Sequence, residues 1–295
     1  MKKLFLTGGL PAAILAVFVA SPTAALAATS PNLGMAGSFA ILSNTYTNTA
    51  SGTTLNGDLG YTTPPAVAPT VSGTTYSPPS SKYSTAGIDQ GSALSSLASQ
   101  ACSFTFPSGA VDLATDTTHG TAGTYLPGVY CTAASSAASI GAAGITLNGG
   151  GTFIFRVNGA LTTVANSAVR LAGGASACNV FWTPTAATTL GANSTFIGTD
   201  IDASGITIGN VITWTGQALA FGGTVSTSRD TITVGTCAAT PSPTPSPTAA
   251  APSVPPTGAG SGATLGGLPS MTIGVALLIA GTLISSTVWV RRRRG

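Results

Sequence analysis

Two stretches of this chain align on each other at a spacing of 18–19 residues. Residues 196–203 (Phe-Ile-Gly-Thr-Asp-Ile-Asp-Ala) precede Gly205-Ile206-Thr207-Ile208, and residues 215–220 (Thr-Gly-Gln-Ala-Leu-Ala) precede Gly223-Thr224-Val225-Ser226. Short β-rich runs broken by Gly, Asn and Ser at about 20 residues signal a solenoid, in which each coil buries its apolar side by stacking on the next. Such a stack presents a long, flat, regular face to water. The fold class is therefore mainly β, a β-solenoid.

The ends of the chain have other jobs. Met1-Lys2-Lys3, the apolar run 10–20 and the exit Ala25-Leu26-Ala27 read as a signal peptide, residues 1–27. Residues 271–290 carry no charge and are long enough for a transmembrane helix. The basic tail 291–295, with Arg291 to Arg294, falls on the cytoplasmic side by the positive-inside bias. Between them, residues 238–270 form a Pro/Ser/Thr/Gly-rich linker, with Pro241, Pro243, Pro245 and Pro247 favouring an extended chain. The exported part keeps four cations (Lys82, Arg156, Arg170, Arg229) against seven Asp and no Glu, which leaves −3. That surface does not neutralise phosphates, so nucleic acid is not an expected partner.

The remaining span, 28–237, can bury a substantial core as one domain. Strands are expected at 38–49, 144–147, 152–157 and 179–182. Residues 84–102 read as a helix, with Ile88, Gly91, Leu94, Leu97 or Ala98, and Ala101 as its buried stripe and Ser84 or Thr85 as its cap. Its polar side is Ser and Gln, so it needs the solenoid for support. Four cysteines in an exported chain imply two disulfides. Of three pairings, Cys102–Cys131 and Cys178–Cys237 are favoured. The CxxC or His spacing of a metal site is missing, and no cofactor is expected.

Several motifs together resemble the ice-binding-like secreted domain family (DUF3494). They are residues 33–42 (Leu-Gly-Met-Ala-Gly-Ser-Phe-Ala-Ile-Leu), 55–60 (Leu-Asn-Gly-Asp-Leu-Gly), Pro127-Gly128-Val129-Tyr130, Thr152-Phe153-Ile154-Phe155, residues 171–175 with Asn179-Val180-Phe181-Trp182, and residues 216–220 (Gly-Gln-Ala-Leu-Ala). The resemblance implies a right-handed β-solenoid, a triangular β-helix, with one long α-helix packed alongside. It also implies ice binding through one flat face bearing a Thr-Ala/Gly-x-Thr/Asn pattern. The matching positions give Thr45, Asn48, Ser204, Thr207, Thr224 and Ser226 as outward contacts, with bulky Tyr46 and charged Asp202 departing from the pattern. Residues Val254, Pro255, Pro256, Thr257 and Gly258 resemble an LPxTG sorting signal with Val for Leu, which implies a sortase and cell-wall attachment.

Other readings stay open. The same scaffold suits an adhesin that holds a polysaccharide or another cell. Asp200 and Asp202 fall on one side of a strand, compatible with solvated carboxylates, a calcium site or an inverting glycosidase pair. Asp58 reads as a turn residue bonded to its own backbone, and His119 as an exposed loop residue. GxSxG, HExxH and P-loop motifs are absent, so a non-catalytic protein displayed at the bacterial cell surface is expected.

Overall fold

The computed structural model describes residues 27–236. The chain divides into two units, 1–239 and 240–295. The expected signal peptide (apart from its last residue), Cys237, the linker, the sorting motif, the apolar run 271–290 and the basic tail lie outside the described residues. Among the described residues no helix is long and apolar enough to cross a membrane.

Every strand pairing is parallel, and the pairings fall into three files, one for each side of a coil. The first file stacks Phe104–Thr105, Gly128–Cys131, Phe153–Val157, Val180–Pro184, residues 199–201, 218–220 and 41–43, Asp58–Gly60 and Thr75–Tyr76. The second stacks Val111–Asp112, Ala138–Ile140, Leu161–Thr163, Thr188–Leu190, Ile206–Asn210, then residues 224–227 and 45–48. The third stacks Thr124–Tyr125, Ile145–Asn148, Val169–Ala172, residues 195–197 and 213–215, Thr231–Thr233, Thr54–Asn56 and Thr70–Val71. The expected repeat is visible in the register: Thr195 pairs with Thr213, and Thr213 with Thr231.

Coil order is not chain order. The N-terminal strand Phe39–Asn48 stacks on the late strand Thr213–Ser228, so the first coils extend the last ones. The chain then returns to the other end of the stack through one helix, Ser81–Ala98. Eighteen residues span about 27 Å, or five to six rungs of about 4.8 Å. The helix covers the outside of the first file. Tyr83, Ala86, Ala93 and Leu97 pack there against Leu42, Val129, Ile154, Phe181, Ile201 and Leu219.

This corrects the expected helical stripe. Ser80, not Ser84 or Thr85, precedes the helix, and Ile88 is 69% exposed. Gly91 has open space around it. The buried stripe is Tyr83, Ala86, Gln90, Ala93 and Leu97, so that of the expected positions Leu97 is buried as read, and Gln90 Oε1 accepts the Phe221 amide at 3.1 Å. Close approach to the sheet selects it: a Cβ on Gly87 would meet the Phe221 ring. The Cys102–Cys131 disulfide forms as expected, fastening the chain just past the helix to the first file. Cys178 is also disulfide-bonded.

A row of aromatic rings, stacked at one end and edge-on at the other, runs through the interior. Tyr130, Phe155, Trp182, Phe196 and Trp214 follow one another at centroid distances of 5.4, 4.2, 5.3 and 5.0 Å. The Trp182 and Trp214 indoles donate to the carbonyls of Ile197 and Gly198 at 2.9 and 2.8 Å, so neither N–H is left unmet.

The corner between the second and third files repeats a left-handed residue: Asn166, Asn193, Val211 and Arg229 have φ of 62, 57, 63 and 60°. Asn tolerates this geometry; a β-branched side chain is strained in it. Val211 is 48% exposed, so little burial compensates. Val211→Asn should therefore raise stability by about 1 kcal/mol, read as a higher urea midpoint. An unchanged or lower midpoint would contradict the strain argument.

Candidate functional site

Strand parity decides which residues reach solvent, because successive side chains point to opposite faces. On the second file, Ser139, Thr162, Thr189, Thr207, Ser226 and Thr47 face outward. Each is the direct cross-rung partner of the next. Thr162, Thr189 and Thr207 are exposed, and Ser139, Ser226 and Thr47 are partly so. Two residues earlier in each rung comes a parallel file: Ala137, Ala160, Ala187, Gly205, Thr224 and Thr45. Thr45 and Thr224 are direct partners. The face is thus a ridge of hydroxyls beside a trough of small groups.

The positions between the two files point inward: Ala138, Leu161, Thr188, Ile206, Val225 and Tyr46 are buried. Tyr46 therefore does not disturb the face. Its hydroxyl meets Thr227 Oγ1 at 2.8 Å inside the coil, and burial pushes its phenol up to about 12. Asp112 ends the hydroxyl file, with Oδ1 taken by the amides of Ala114 and Gly141.

The structure brings Thr45, Thr207, Thr224 and Ser226 together on this face. Ser204 sits at its margin, in the turn before the strand Ile206–Asn210, and donates to the Thr185 carbonyl at 3.3 Å. Asn48 is a correction: it is 3% exposed. Thr45 and Asn48 are an odd number of residues apart in one strand, so they point opposite ways. Asn48 works inside, accepting from Thr53 and Thr227 and donating to the Val67 carbonyl. Ser139, Thr162, Thr189 and Thr47 are outward members of this file that sequence reading missed.

The carboxylates also differ from expectation. Asp200 and Asp202 are not solvated; both are buried. Asp202 accepts from the amides of Thr188 and Ser204 at 2.8 and 2.7 Å. Neither carboxyl oxygen of Asp200 takes a hydrogen bond. Burial first, then the neighbouring Asp202, pushes the Asp200 carboxyl well above the usual range. Sealed in the coil, the pair cannot meet a polysaccharide, which removes the glycosidase reading. Among the described residues no group of three or more His, Cys, Asp or Glu side chains is placed to hold a metal ion.

Asp58 bonds the next coil and the helix rather than its own turn, through Thr74 N and Lys82 Nζ, both at 2.8 Å. His119 is not an exposed loop residue: its side chain is 2% exposed. Its ring stacks on Tyr125 at 4.1 Å, bonded to Asp116 at 2.7 Å.

Burial raises the carboxyls of Asp200, Asp202 and Asp230, the last to about 6. These groups keep protons in the folded chain that the unfolded chain has released. Their stabilisation is therefore greatest in acid and is lost as pH rises from about 4 through about 6 and beyond. Asp58 and Asp116 act oppositely. Burial raises each, but hydrogen bonds from Lys82 and Thr74, and from His119 and Thr118, hold both below the usual carboxyl range. Their contribution is lost only below about pH 4. The melting temperature should thus be higher near pH 4.5 than at pH 7.5. Asp200→Asn should raise it at pH 7.5 and narrow the gap. A parent that is more stable at pH 7.5 would contradict this assignment.

A family model described as ice-binding-like matches residues 26–233. Curated protein sequences give no match. Among solved structures, an ice-binding protein of the Antarctic ascomycete Antarctomyces psychrotrophicus is 25% identical, with a TM-score of 0.61 over 70% of this chain and 98% of that one. An ice-binding protein from an Antarctic biological consortium is 26% identical, with a TM-score of 0.62 over 71% of this chain and 93% of that one. The DUF3494 domain of Shewanella frigidimarina ice-binding protein_1 shares the fold, at 23% identity and a TM-score of 0.60 over 72% of this chain and all of that one.

Proposed function

Because this chain belongs to the ice-binding-like family, we propose that it adsorbs to ice through the second face, without covalent chemistry. The unbroken file Ser139–Thr162–Thr189–Thr207–Ser226–Thr47 carries the reading. Parallel pairing sets the rungs that carry these hydroxyls about 4.8 Å apart along the stack, and at its end Thr47 Oγ1 donates to Ser226 Oγ at 2.7 Å. The hydroxyls of Thr162, Thr189 and Thr207 anchor water, while the Thr methyls and the small trough discourage disordered water. Water held at fixed intervals can join a crystal face with little further ordering. Apart from Asp112 at one end, neither outward file carries a charge whose own hydration shell would compete. We read the winding as right-handed, the hand taken by about 98% of parallel crossovers, and the section as triangular.

We further propose that the domain, 28–237, is exported by the signal peptide 1–27 and held at the cell surface. The linker 238–270 would lift it from the membrane, with 271–290 as the span, or with Thr257 joined to the cell wall by a sortase. A tether suits a protein that holds a cell to ice better than a diffusing antifreeze. It equally supports the adhesin reading, in which the face grips a polysaccharide.

Ice-affinity partitioning of the full chain tests this. Parent protein should concentrate in slowly grown ice and shape its crystals, and Thr207→Tyr, which breaks the flat face at its middle, should sharply weaken both. Exclusion of the parent from ice, together with binding on a glycan array, would replace the ice reading with the adhesin one.

A further inference from the structure

We propose that the third face is a second ice-adsorbing surface, so that the protein meets ice along two adjoining planes. The proposal rests on the ice reading of the second face and extends it to a different set of residues.

The motivating observation is a file of five threonines, Thr195–Thr213–Thr231–Thr54–Thr70, each the direct cross-rung partner of the next. Thr195, Thr213, Thr231 and Thr70 are exposed and Thr54 is partly so. Strand propensity accounts for a threonine here and there, but Val, Ile or Tyr would serve a strand equally well. It does not account for the same side chain on five consecutive rungs supplied by chain segments as distant as 54 and 231. The second outward file of this face reads Ile197, Thr215, Thr233 and Asn56.

Three further features make this face like the second one. Its five rungs carry no charged residue at any of these positions; Arg170 lies one rung beyond, and Arg229 sits at the corner. The hydroxyls of the five-threonine file take no part in the side-chain hydrogen bonds of the described residues, so they are free to hold water. The strands are stiffened from behind by Phe196, Trp214, Ile232 and Leu55, all buried in the main core. Four rung spacings make the file about 19 Å long.

The two faces also share an edge. The left-handed corner at Asn193, Val211 and Arg229 carries the chain directly from one to the other, with Asn193 N bonded to the Asn210 carbonyl at 2.9 Å and Val211 N to the Ser228 carbonyl at 3.1 Å. Both hydroxyl files are therefore fixed to one rigid edge. The first face is unavailable, because the helix covers it. A tethered molecule with two of its three sides able to adsorb would engage ice in more orientations, and on more than one crystal plane.

The test is adsorption of the fluorescently labelled full chain to a single-crystal ice hemisphere. The variants are Thr207→Tyr on the second face, Thr213→Tyr on the third, and both together. Each single variant should lose one set of illuminated planes and keep the other, and the double variant should lose all. Thr231→Tyr replaces Thr213→Tyr if the latter lowers the melting temperature. A Thr213→Tyr or Thr231→Tyr pattern identical to the parent, with all adsorption lost in Thr207→Tyr, would overturn the second surface while leaving the first. A parent that illuminates no plane would overturn the ice reading itself, and this proposal with it.

Discussion

In-register parallel hydrogen bonding between coils is the constraint on which the rest of this structure depends. It satisfies the backbone of each coil, as burial requires. It also places every outward residue directly over its counterpart on the next coil, so a side chain repeated in sequence becomes a straight file in space. Gly216 shows how strictly the register is kept. It lies against the Gly198 carbonyl at φ 152°, and any Cβ there would collide with the coil below. Gln217, next to it, sends its amide to the carbonyls of Ala36 and Phe39 at 2.9 and 2.8 Å, locking the N-terminal segment onto the stack.

The same constraint explains where the charges go. The two open faces carry little charge, and the seven aspartates serve the scaffold. Asp58 and Asp89 tie the helix, through Lys82 on it and through the Met35 amide beside it. Asp112 and Asp116 fix turns near one end of the stack. Asp202 and Asp230 cap backbone amides at corners inside the coil. Asp200 alone finds no hydrogen bond, and burial answers by favouring its neutral form.

The solenoid class was legible in the 18–19-residue spacing because the late coils are short and uniform. The position of Thr207 beside Ser226 followed from it. The rest of the hydroxyl file was not legible, for two reasons. The earlier coils are longer and uneven: Ser139 and Thr162 lie 23 and 27 residues before their partners, and only Thr189, 18 residues before Thr207, keeps the late period. Thr47 joins only because the N-terminal strand stacks on the late one, which no local pattern announces. The helix stripe misled for a different reason: hydrophobic spacing points to Ile88, whereas close contact with a flat sheet prefers Ala86, Gln90 and Ala93. Asn48 failed on parity, which a pattern with an odd step conceals.

Together these features describe a stack of parallel coils with one side closed by a helix and two open sides lined by hydroxyls. The central claim is that stacking alone turns Ser and Thr side chains into a template for ordered water. A high-resolution crystal structure of the hydrated protein tests it most directly. The account predicts a row of ordered waters bound to Thr162, Thr189, Thr207, Ser226 and Thr47, repeating at the rung spacing of about 4.8 Å along the trough. Scattered, irregular hydration over that row, or a register in which Thr207 and Ser226 are not neighbours, would contradict it.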